Sequence, residues 1–302
     1  MRLLAVLLLT GFLAACAGGG GGGGGGSSSS SGNVTTTTTG FSGQSSWTSN
    51  GSGTVTSIGT WNQGTSGLTY TETVNSSNIV QSNSFTSSAG TTVSFDRASG
   101  DTIQNVTTGP LANKAYYEAK SDLSAIALIA PKSMNGWDYQ GYGVWITGYN
   151  TSSGTVGAGS AGSYTTGTAI PTSNSGTFTG TSAGAYTNSS GTPYLTAASM
   201  TATANFATRS IVFATTSTSY LNSSGGWTAI SGLNLSGTLS YASATNAISG
   251  TVTTAGGGGV SVMSGTATAK FAGPAATEIG GSYAVRTGAG VESFAGAFGG
   301  KR

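Results

Sequence analysis

The sequence predicts an all-β protein, with a first domain of irregular β structure followed by an eight-stranded antiparallel β-barrel. Three observations carry that prediction. Only 6% of the 302 residues are charged, and Gly, Ser, Thr and Ala fill most of the rest, a composition of strands joined by tight turns. Apolar residues alternate with Thr, Ser and Asn in one segment after another. Amphipathic helical periodicity is almost absent beyond Gly32.

The first element is a targeting segment. Met1 and Arg2 make a short positive start, residues 3–13 are apolar apart from Thr10 and Gly11, and Ala14 and Ala15 follow. This is the layout of a secretory signal, too short to cross a membrane as a helix. Leu13-Ala14-Ala15-Cys16 resembles the bacterial lipobox, and Cys16 is the only cysteine of the chain. The resemblance implies removal of residues 1–15 and lipidation (palmitate among the acyl chains) of Cys16. Ala17, standing where an aspartate would imply inner-membrane retention, implies the outer membrane. Several acyl chains at about 0.8 kcal/mol per buried methylene hold a protein durably. Residues 16–32 then form a Gly/Ser tether, with an average reach of roughly 20 Å. A phosphate-binding loop would need a preceding strand and a closing Gly-Lys-Ser/Thr, and neither is present.

Residues 33–167 form the first domain. "GTVTSIGTW", "GLTYTETV", "TTVSFD" and "YGVWITGY" are its plain strands. The segment 111–128 fits either a short helix or two strands. Asp96, Arg97 and Asp101 crowd one turn, and Glu118 with Asp122 reads as a solvated charged patch. A Gly/Ser/Thr-rich stretch over 151–168, followed by Pro171, serves as the boundary.

Residues 168–302 form the barrel. Segments 176–186, 194–207, 209–216, 233–241, 247–254, 265–271, 279–285 and 294–298 are its eight strands. In "LNLSGTLSY", Leu233, Leu235, Gly237, Leu239 and Tyr241 alternate with Asn234, Ser236, Thr238 and Ser240, so one face is buried and the other wet. Eight strands can close and fill the interior with side chains, and inward glycines let the sheet bend around rings. A membrane barrel would place the apolar face outward. Here that face mixes small and large residues as an interior requires.

The C-terminal segment 264–302, "SGTATAKFAGPAATEIGGSYAVRTGAGVESFAGAFGGKR", resembles the closing strands of the transferrin-binding protein B family of bacterial surface lipoproteins. The matching positions are Gly273, Pro274, Ala276, Glu278, Gly280 and Gly281, then Phe294, Gly296, Phe298, Gly299, Gly300 and Lys301. "SGTFTGTSAGAY" and "TANFATRSIVF" are similar to the family's first barrel strands, and the first domain corresponds to its smaller "handle". The resemblance implies a lipid-anchored outer-membrane protein, a surface binder and not an enzyme, whose large relatives capture host transferrin and others haemoglobin or complement regulators. This chain has one handle–barrel unit where large members have two, and its loops are short and nearly uncharged. On physical grounds Pro274 belongs in a turn, Gly280 and Gly281 suit a bulge or sharp bend, and Glu278 can pair with Arg286 or Arg209 at a barrel rim.

Composition excludes several functions. A formal charge of +2 without a basic stripe argues against nucleic acid as a partner. The absence of histidine removes a Ser-His-Asp triad and the usual zinc sites. Neither carboxyl pair, Asp96 with Asp101 or Glu118 with Asp122, is expected to be catalytic, and "GTSAG" lacks the nucleophile register. No cofactor or metal is expected. The expected function is capture of a host or nutrient-carrier protein or a small solute, through barrel loops and the handle. Tyr149, Tyr220 and Trp227 are the candidate contact residues because each lies in a Gly/Ser/Asn-rich turn region. The alternative is a structural or adhesive coat lipoprotein without a discrete ligand.

Overall fold

The structure, a computed structural model, describes residues 33–302 except 51, 53, 189–192 and 289–291. The lipobox cysteine Cys16, the segment before it and the tether lie outside the described residues. Residues 34–162 build one antiparallel sheet: β1 (Val34–Ser49), β2 (Val55–Ile58), β3 (Asn62–Gln63), β4 (Leu68–Val74), β5 (Val80–Thr86), β6 (Thr92–Asp96), β7 (Thr102–Asn105), β8 (Tyr116–Ala119), β9 (Ala125–Ala130), β10 (Gln140–Thr147) and β11 (Ser153–Gly162). The order is β6-β5-β4-β1-β11-β10-β9-β8-β7, with β2 and β3 also paired to β1. The segment that fitted either helix or strands resolves into β8 and β9.

The first sheet curls because β1 is shared by displaced partners. Its Val34–Gly40 half pairs with β4, and its Gly40–Thr48 half pairs with β11. The curl brings the edges β6 and β7 together around a short 3-10 turn, Arg97–Ser99. Arg97 holds that seam by donating from Nε to Val80 O at 2.7 Å and from its guanidinium to Ile103 O. Asp96 caps the turn by accepting from the Ala98 N–H, and Asp101 accepts from Asp96 N, Ser121 N and Lys120 Nζ. The crowded charges are thus turn chemistry, as their spacing suggests. Inside the curl lie Leu68, Val80, Phe85, Phe95, Ile103, Ile129 and Trp145.

The second sheet comprises β12 (Ser175–Thr187), β13 (Tyr194–Asn205), β14 (Ser210–Leu221), β15 (Trp227–Ala229), β16 (Leu235–Ser240), β17 (Ile248–Thr254), β18 (Ser264–Ala272), β19 (Glu278–Arg286) and β20 (Ser293–Lys301). Its order β13-β12-β20-β19-β18-β17-β16-β14 closes through β13–β14, with the short β15 appended to β14. This is the expected eight-stranded antiparallel barrel, apolar face inward. Rings fill it: Phe213 stands 4.6 Å from Phe298, Tyr283 5.1 Å from Phe294, and Phe178 and Phe206 both flank Phe271. Gly281 makes the room, since a Cβ there would come 2.4 Å from the Phe298 ring.

The outer face of β12, β19 and β20 is not wet, because the first sheet packs on it. Tyr142, Val144, Ile146, Val156 and Ala158 from one sheet share a core with Ala183, Ala185, Leu195, Ala295 and Ala297 from the other. This joint accounts for the C-terminal motif and corrects two expectations. Glu278 meets neither Arg286 nor Arg209. It is fully buried and accepts from the main-chain N–H groups of Asp138, Tyr139 and Gln140 at 2.7, 3.1 and 3.1 Å. Gly280 and Gly281 form no bulge, for β19 keeps register with both neighbours. Gly280 is instead a close-approach position, where a Cβ would lie 2.3 Å from Ser160 Oγ and 2.6 Å from Gln140 Oε1. Pro274 does sit in a turn, the 3-10 segment Pro274–Ala276. Glu118 is no solvated residue either: it is 0% exposed, inside the first sheet.

Candidate functional site

A cavity of 480 Å³ opens within the curl of the first sheet. Its origin is legible in the pairing. Gly40, Ala161 and Gly141 stand opposite one another across β1, β11 and β10, and Gly159 stands opposite Gly143 in the next layer. Residues opposite in antiparallel strands share a face, so three neighbouring strands present almost no side chain to the interior. The space remains because a Cβ has nowhere to go at several of these positions: at Gly159 it would fall 2.6 Å from Phe41 O, and at Gly40 2.0 Å from Ser160 O. One layer deeper, Trp145 lies over Gly157 and 4.7 Å from Phe85, closing the floor with Leu68 and Ile129.

The opposite wall is polar. Thr36, Thr38, Tyr70 and Glu72 line it from β1 and β4. Tyr70 Oη lies 2.9 Å from Glu72 Oε2 and 2.9 Å from Asn83 Oδ1, and Asn83 Nδ2 donates to Glu118 Oε1. Tyr70 has one proton for two acceptors, and a protonated Glu72 resolves the conflict by donating to the Tyr70 oxygen. Burial raises the Glu72 carboxyl, against the opposing effect of the Tyr70 bond. Burial likewise pushes Glu118 up to about 8, and its Oε2 has no hydrogen-bond partner. The site therefore holds two carboxyls whose ionised forms are made more costly by burial, one of them lining the cavity. Lys132, at the rim, is exposed and donates to Asp138 O at 3.3 Å.

The three aromatics singled out from sequence lie elsewhere: Tyr149 and Trp227 along the seam between the sheets, and Tyr220 on β14 of the barrel. Trp227 covers Gly109 of the first sheet's β7–β8 connection so closely that a Cβ would come 2.6 Å from its ring. Tyr149 packs half-buried against the same inter-sheet core, as does Tyr117. Tyr220 makes an edge contact with Tyr194 at 5.6 Å. None of the three lines the cavity. Sequence reasoning missed Tyr70, Glu72, Trp145 and the facing glycines. A signal was present in "LTYTETV", where Glu72 falls in phase with Leu68, Tyr70 and Val74, placing a carboxyl on the buried side of the strand. Among the described residues, no group of three or more His, Cys, Asp or Glu side chains is arranged to hold a metal.

No protein-family model matches the sequence, and no curated protein matches it. Among solved structures, the chain is similar to transferrin binding protein B of Haemophilus parasuis, at 10% identity over 87% of this chain and 75% of that one, with a TM-score of 0.44. A surface lipoprotein matches at 12% identity over 86% of this chain and 98% of that one, with a TM-score of 0.45. The haemoglobin receptor of Kingella denitrificans matches at 11% identity over 91% and 88%, with a TM-score of 0.42. What this chain binds has to be argued from its own residues.

Proposed function

We propose that the chain is a lipid-anchored outer-membrane lipoprotein that captures a small solute in the cavity of its first domain, without performing chemistry on it. The observation that supports this reading is the cavity itself: 480 Å³, with an aromatic and aliphatic floor and a few polar groups on one wall. Those are the attributes of a ligand pocket rather than of a packing defect. The barrel's interior is filled by its own rings. The division of labour follows: residues 168–302 supply a rigid support, and residues 33–167 supply the site. Tyr149, Tyr220 and Trp227 are the proposed contact points for a larger partner, with Trp227→Ala as their test.

Two experiments test the reading. An environment-sensitive apolar dye titrated into the purified full-length chain should bind saturably, and Ala161→Leu, which fills the cavity wall, should abolish that binding while leaving the unfolding transition in place. Dye binding unaffected by Ala161→Leu refutes solute capture at this cavity. Anchoring is tested by Cys16→Ser, which should shift the protein from the membrane to the soluble fraction. Unchanged fractionation refutes the anchor.

A further inference from the structure

The cavity's chemistry narrows its ligand, on the premise that it is a binding site. We infer that it takes an organic ammonium compound, its apolar body seated on Trp145, Phe85 and Leu68 and its cationic head paired with Glu72. Three features of the lining lead there. The floor is built of ring and aliphatic surface, with Trp145 and Phe85 in mutual contact at 4.7 Å. An indole face is the best of the aromatic partners for a cation. Glu72 is the one carboxyl on the lining, and Lys132, the one amine, sits exposed at the rim and is engaged with Asp138 O.

The third feature is an incomplete polar set. Trp145 is 2% exposed, lines the cavity, and its Nε1–H has no acceptor. A buried donor without a partner costs free energy that a ligand oxygen or water could offset. Tyr70 is shared between two acceptors, so the wall can donate to Glu72 when that carboxyl is ionised by a neighbouring cation. Burial makes the ionised form of Glu72 costly, and an ammonium against it offsets that cost. An anionic ligand gains nothing comparable. It would stand beside Glu72 with Glu118 behind, and the cation that acts on Glu118, Arg97, is committed to Val80 O and Ile103 O.

Three probes with one ring and different heads decide the matter: tyramine, its neutral alcohol counterpart tyrosol, and 4-hydroxyphenylacetate. Calorimetric titration of the purified full-length chain should show saturable tyramine binding, tyrosol weaker by about tenfold or more, and no uptake of the carboxylate. Glu72→Gln retains the hydrogen bond to Tyr70 and removes the charge. It should bring tyramine down to the level of tyrosol and leave tyrosol unchanged, with the unfolding midpoint as the control for folding. Tyrosol or the carboxylate binding as tightly as tyramine, or tyramine binding insensitive to Glu72→Gln, overturns the assignment. Failure of all three probes in a chain that still takes up the apolar dye, with Ala161→Leu blocking it, overturns the ammonium inference and leaves solute capture standing.

Discussion

Replacing Glu118 by glutamine isolates the cost of the buried carboxyl. In the folded chain Glu118 accepts one bond from Asn83, leaves Oε2 unpartnered and is 0% exposed. Burial raises its pKa from 4.5 to about 8; the Asn83 bond opposes, Glu72 adds to the rise and Arg97 opposes. Between those values the unfolded chain has lost the proton and the folded chain has kept it. The stability this group contributes is therefore complete below pH 4.5, falls as pH rises, and levels off above about 8. At about 1.36 kcal/mol per pH unit, the fall over the whole interval is at most roughly 5 kcal/mol. Glu118→Gln keeps the acceptor for Asn83 but adds a buried N–H pair without partners, costing about 1–3 kcal/mol at every pH. The variant should thus be less stable than the parent near pH 5 and more stable above pH 8. Urea unfolding of the full chain, followed by tryptophan fluorescence at about pH 5 and about pH 8.5, reads the crossing. Glu72, raised by burial, leaves the variant a residual slope. Equal parental stability at both pH values, or a variant that loses stability as steeply as the parent, would refute the reasoning.

Three further outcomes follow from the joint and the turn. Glu278→Ala removes the acceptor for three main-chain N–H groups and should destabilise the chain by about 3 kcal/mol, with Glu278→Gln recovering part of it in urea melts. Gly280→Leu places carbon where Ser160 and Gln140 already stand and should cost about 1–3 kcal/mol; an unchanged midpoint would mean that the sheets are not in contact there. Asp101 is raised by burial, but bonds from Lys120, Asp96 N and Ser121 N outweigh that and hold it below 3.8. Its contribution is present above pH 3.8 and lost as pH falls through the lower folded value, so Asp101→Asn should flatten the acid limb of the stability curve.

The barrel was legible in the sequence because its inward positions alternate strictly. Leu233, Leu235, Leu239 and Tyr241 are all buried, as are Ala267, Ala269 and Phe271. The alternation rule failed at β19, where Gly280 and Ser282 on the opposite face are buried too. Period-2 reasoning assumes that one face meets water, and here a second sheet covers it. The same assumption misplaced Glu118. Its neighbours Lys114, Lys120 and Asp122 suggest a charged patch, yet Glu118 pairs opposite Ala127 within β8 and is buried, whereas those three lie outside the strand. The cavity was illegible for a different reason. It is made by Gly40, Gly141, Gly143, Gly159 and Ala161, which come from β1 and from the distant consecutive strands β10 and β11, and in so glycine-rich a chain they carry no contrast.

Glu278 grips the other sheet by its main chain alone. Amide hydrogens are the same whatever residue carries them, so the side chains at 138 and 139 are free of that particular bond. The joint is in this sense addressed from one side: the C-terminal strands must spell out a carboxyl and bare glycines, whereas the receiving loop need only hold its shape. A docking rule of this kind constrains the composition of the mating half and leaves that of the receiving half open at those two positions.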